Sequence, residues 1–111
     1  MRIAELTKGT LPPSLDELVV SLCRDFKRRE HSVKTGGITG RTVMEYKYIN
    51  HKILEGAYEA AGEELARAFI DEIGERTGFA YSKTDCLSES TYKLMKQAVK
   101  LNIAKKLHLT D

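Results

Sequence analysis

Apolar residues recur at three- and four-residue intervals in every long segment of this chain, and no stretch alternates with a period of two. That spacing turns one side of an α-helix toward a core and leaves a β-strand no face to bury. The first segment carries Leu15, Leu18, Val19, Leu22, Cys23 and Phe26, and Ser14 with Glu17 has capping-box spacing, so a helix is expected over 14–30. A second begins near Thr42, where Glu45 completes the same pattern, and runs through Val43, Tyr46, Ile49, Asn50, Ile53, Ala57, Ala60 and Ala61. Its end stays open. Gly62 can stop it, with a new helix from Glu63, or the helix bends there and continues through Leu65, Ala66, Phe69, Ile70 and Ile73 to about Arg76, with Gly78 as terminator. The last segment opens on a hydrophobic staple, Leu87 and Tyr92 around an N-cap Ser88, and is expected to be helical over 89–107.

The fold class is therefore all-α, a compact bundle of three to four helices. The 111 residues suit one domain, 1–111, with an N-terminal arm at 1–13 ahead of the first helix and a Gly-rich basic loop at 31–41. The expected core is Leu18, Leu22, Phe26, Ile49, Ile53, Phe69, Ile73, Met95, Val99 and Ile103. No apolar run approaches the roughly 20 residues of a membrane span, and Met1–Gly9 lacks the apolar stretch of a secretory signal, so a cytoplasmic protein is expected. Small residues Gly56, Ala57, Ala60 and Ala61 form a close-approach surface. It suits a tight crossing inside the chain or a homodimer, and a homodimer is expected.

Charge is unevenly spread. The total is 18 basic against 16 acidic residues, +2, yet residues 24–41 sum to +4, 55–75 to −6 and 93–108 to +5. Such asymmetry implies either a polyanion surface or mutual pairing of the segments. Catalytic constellations are missing from the pattern. Cys23 and Cys86 match no metal spacing, and His31, His51 and His108 form no HxxxH or ExxH pair, so neither metal nor cofactor is expected. Glu59, Glu63, Glu64, Asp71, Glu72 and Glu75 read as a solvated acidic face, and no enzyme activity is expected. The loop Gly36-Gly37-Ile38-Thr39-Gly40-Arg41-Thr42 has the wrong spacing for a nucleotide-binding P-loop. It still suits an anion, through Arg41 and Lys34 beside a helix N-terminus.

The most specific segment is Leu87-Ser88-Glu89-Ser90-Thr91-Tyr92-Lys93-Leu94-Met95-Lys96-Gln97-Ala98-Val99-Lys100-Leu101. It resembles the recognition helix of a sigma-factor region-4-type helix-turn-helix: a small polar cap, short hydroxyl side chains, then basic residues on an amphipathic tail. From Tyr46 to Leu109 the chain also resembles small phage and prophage transcriptional regulators of the autolysin/late-gene type, through Glu-Tyr-Lys-Tyr-Ile-Asn, Ser-Glu-Ser-Thr-Tyr-Lys and Ile-Ala-Lys-Lys-Leu. The resemblance implies binding to double-stranded DNA. Ser90, Thr91, Lys93, Lys96 and Lys100 would then meet the duplex, with Arg28, Arg29, Lys34 and Arg41 on phosphates. The ten residues Gly78–Leu87 are longer than the three- or four-residue turn of a helix-turn-helix. The competing expectation is a helical protein-interaction or assembly module that binds no nucleic acid.

Overall fold

A computed structural model describes residues 11–82 and 87–110. Helices α1 (Pro13–Arg24), α2 (Phe26–Thr35), α3 (Arg41–Ala61), α4 (Glu63–Glu75) and α5 (Glu89–Lys106) form the fold, with a 3₁₀ turn at Phe79–Tyr81. α1 and α2 are one rod interrupted at Asp25, which keeps right-handed backbone geometry (φ −89°, ψ 3°) while its N–H donates to Ser21 O and its C=O accepts from Arg29 N–H. The architecture is thus an all-α bundle of four rods. No helix among the described residues is long and apolar enough to cross a membrane.

Helix boundaries follow local chemistry that the apolar spacing does not report. Pro13, not Ser14, opens α1, with Pro12 as N-cap. Proline's fixed φ and missing N–H suit the first helical position. The expected Ser14–Glu17 box does not form, and Glu17 instead pairs with Arg76. The first rod runs to Thr35 rather than residue 30, so the helix takes His31–Thr35 from the expected loop at 31–41. Gly36, at φ 71°, supplies the left-handed residue that ends it. Gly40, not Thr42, precedes α3, and Glu45 pairs with Arg41 at 3.0 Å. Gly62 does break the third rod: at φ 84°, ψ 164° it caps α3 and opens α4. Arg76, not Gly78, ends α4, in the left-handed region at φ 57°. Of the expected arm, residues 1–10 and also Cys86 lie outside the described residues, while Leu11 packs against the core.

The core is built where small residues let backbones meet. α5 lies across the second half of α3, its most extensive packing. There Gly56 leaves room for the α5 backbone: a Cβ would stand 3.0 Å from Ile103 N. Gly74 of α4 does the same for α1, where a Cβ would stand 2.7 Å from Arg24 N. The close-approach surface of Gly56, Ala57 and Ala60 is therefore buried inside the chain. It is not free to seat a second copy, and the expected homodimer loses the feature that motivated it. Ile53, Phe69, Ile73, Val99, Ile103 and Phe26 are buried as expected, and Leu22, Ile49 and Met95 are half-buried against them. Leu18 is 41% exposed, because α1 turns Val19 and Val20 inward instead.

Candidate interaction surface

α5 begins as its sequence indicates. Ser88 is the N-cap, its Oγ accepting from Thr91 N–H at 3.3 Å and donating to Thr91 Oγ1 at 2.9 Å. Tyr92 is buried, stacked on Phe69 with ring centroids 5.5 Å apart. Its hydroxyl donates to Glu72 Oε1 at 2.8 Å, and burial followed by Glu72 pushes its pKa up to about 12. Ser90, Lys93, Leu94 and Gln97 make the exposed stripe of the helix.

Two of the three lysines expected to meet the duplex, Lys96 and Lys100, are engaged within the fold. Lys96 donates to Thr77 O at 2.6 Å and sits over the Tyr92 ring, and its desolvation lowers its pKa. Lys100 pairs with Asp16 at 2.7 Å, its side chain only 21% exposed. Lys106 bridges Glu59 at 2.7 Å and Glu55 at 3.0 Å. Lys93 is exposed and pairs with Glu89. The charge asymmetry of the sequence is thus largely met by pairing within the chain: Lys106 joins the basic last helix to the acidic middle, and Arg67–Glu30 and Lys27–Asp71 join α4 to α2.

The expected phosphate contacts lie on a different element, the α2–α3 hairpin. Arg28, Lys34 and Arg41 are exposed there. Arg29 is not: it is 3% exposed, donates from Nε to Asn50 Oδ1 at 2.7 Å, and also donates to Leu22 O. Asn50 Nδ2 donates onward to Phe26 O at 3.1 Å, so one buried network ties α2 to α3. The structure therefore removes Arg29 from any phosphate surface and sets the other three on a different helix pair from Ser90, Thr91, Lys93, Lys96 and Lys100.

The hairpin has a second property, which the sequence reading passed over. No residue of α3 from Arg41 to Lys52 is buried, although the stretch holds Val43, Met44, Tyr46, Tyr48 and Ile49. Of these five, only Ile49 packs against the core. Met44 is 73% and Tyr48 48% exposed. Val33 of α2 and Ile38 of the connecting loop are half-exposed. Two clefts flank this half-helix. One of about 400 Å³ lies between α2 and α3, over Phe26, Val33, Tyr46 and Leu54. The other, of about 420 Å³, lies along Met44, Tyr48 and Ile49. The sequence did hold a signal. Met44 and Tyr48 are four apart and off the stripe of Tyr46, Ile49 and Ile53, so α3 is apolar on more than the one side a bundle can cover. From Phe26 to Lys52 the hairpin carries seven cations against two acids, a net of +5, which leaves −3 for the rest.

Among the described residues, no three His, Cys, Asp or Glu side chains converge as a metal site would require. No family model matches the chain, and neither curated proteins nor solved structures gave a match.

Proposed function

We propose that this chain is a helical protein-interaction module that docks through the α2–α3 hairpin. The observation that carries the reading is the uncovered first half of α3, where four large apolar or aromatic side chains lie outside the core on a helix packed from one side only. A helix gains its stability by burying such a face, and a contiguous apolar surface with a polar rim is the usual form of a protein contact site. A random helical-peptide library selected against the full chain tests it. Selected peptides should lose affinity for Met44→Asp/Tyr48→Asp and keep it for Tyr81→Asp, since Tyr81 is exposed outside the hairpin. Binders indifferent to the hairpin variant, or no binders at all, would count against the module.

Duplex DNA binding by a cytoplasmic, phage-type regulator is the second reading. It is favoured by the exposed stripe of Ser90, Lys93 and Gln97 on a capped helix and by the sequence likeness of that helix. Its cost is visible in the contacts: Lys96 would have to leave Thr77 O, and Lys100 its ion pair with Asp16. On a random-sequence duplex, Lys93→Ala/Lys96→Ala should then change the slope of log affinity against log salt by about one unit, not the two that two phosphate contacts give. An unchanged slope removes Lys93 and Lys96 from any phosphate contact.

A further inference from the structure

We propose that the α2–α3 groove takes the apolar face of an acidic amphipathic helix from a partner protein. The proposal rests on the docking reading above and adds the site and the chemistry of the occupant. The floor, over Phe26, Val33 and Leu54, is apolar, and the one amide reaching it has both ends occupied: Asn50 accepts from Arg29 and donates to Phe26 O. An apolar side chain seated there leaves no polar group unpaired, which is the condition for burial without a desolvation cost. The rim is cationic. Lys34 and Lys47 line the groove, and neither has an ion-pair partner among the described residues. Glu30, the acid on the rim, is already held by Arg67 at 2.8 Å. Two parallel cues, an apolar trough between helices and a rim with two lysines to one acid, are what an acidic helix laid in a groove would satisfy. A second copy offering the same face is disfavoured, because it would bring Lys34 and Lys47, not acids, against this cationic rim. A nucleic acid is disfavoured by a floor that offers phosphates and base edges no free donor.

The test uses the full chain and two fluorescent helical peptides with one leucine stripe in common, one flanked by Glu and the other by Lys. The Glu peptide should bind saturably and weaken as salt rises, and the Lys peptide should not bind. Lys34→Glu/Lys47→Glu should weaken the Glu peptide by about tenfold or more and gain affinity for the Lys peptide. That gain can be read only from a folded variant, so loss through misfolding is excluded. Equal binding of both peptides, no binding of either, or a charge-reversed pair that changes neither affinity overturns the proposal. Peptides sensitive to Met44→Asp/Tyr48→Asp but not to Lys34→Glu/Lys47→Glu would overturn the groove assignment while leaving the docking reading intact. Concentration-dependent sedimentation abolished by the rim variant would replace the partner helix with a second copy. Duplex binding lost on that variant would replace it with nucleic acid.

Discussion

Gly56 and Gly74 show how finely the bundle depends on single atoms. At Gly74 an added Cβ meets the Arg24 backbone at 2.7 Å, and backbone cannot rotate away as a side chain can. Gly74→Ala should therefore cost about 1–3 kcal/mol, as overpacking does, despite the gain in helix propensity. At Gly56 the nearest atom is 3.0 Å away, so Gly56→Ala should cost less and be partly offset by the roughly 1 kcal/mol that alanine gains over glycine in a helix. Equal melting losses for the two variants would show that the crossings are not as tight as the distances imply. Ile53, fully buried, should lose about 2–5 kcal/mol on truncation to alanine, whereas Leu18→Ala should be within about 0.5 kcal/mol of the parent. Helical spacing marked each residue as a core position of its own helix. It could not tell Leu18 from its neighbours Val19 and Val20, because three consecutive apolar positions fit more than one rotation of the helix.

Elements were legible to different depths for reasons that are physical. α5 was readable almost to the residue, since Ser88 supplies a side-chain cap that acts locally. Ser88→Ala should cost about 1 kcal/mol, measured by denaturant unfolding. The ends of α1–α2, α3 and α4 were not readable in the same way. Their caps are backbone devices (Pro13 at the first position, Gly36 and Arg76 in left-handed geometry), and the apparent boxes at Ser14 and Thr42 lost to ion pairs with Arg76 and Arg41. The pairing of buried Arg29 with Asn50 was equally invisible, because a charged residue inside a run of basic residues gives no sign of which one turns inward. The candidate site followed the same rule. Three of the four expected phosphate residues are exposed on the hairpin. The lysines of α5 could not be sorted from sequence, since their partners Asp16, Thr77, Glu55 and Glu59 come from elsewhere in the chain.

Over the whole molecule, stability should be bounded at both ends of the pH scale. The carboxyls of Glu30, Glu55 and Glu59 are held below their ordinary range, chiefly by hydrogen bonds from Arg67 and Lys106. Groups lowered on folding contribute stability above their unfolded pKa and lose it as pH falls through the folded value, so the protein should weaken below about pH 4.5. Cys23 and Tyr92 are raised to about 12 by burial, from 9.0 and 10.0. Their contribution is complete below the unfolded values and is lost as pH rises between about 9 and 12. Urea midpoints across pH check both arms, and a flat profile from 9 to 12 would contradict the burial of these two groups. Cys23 should also resist thiol reagents until the fold opens.

The central claim is that the hairpin, not the last helix, meets the partner. Backbone amide shift mapping tests it most directly, titrating the full chain with a library-selected peptide. The account predicts that perturbations concentrate between Glu30 and His51, with Lys34, Lys47 and Met44 among the largest, while Ser90–Gln97 stays unmoved. Shifts centred on Ser90–Gln97, or spread evenly over the bundle, would contradict it.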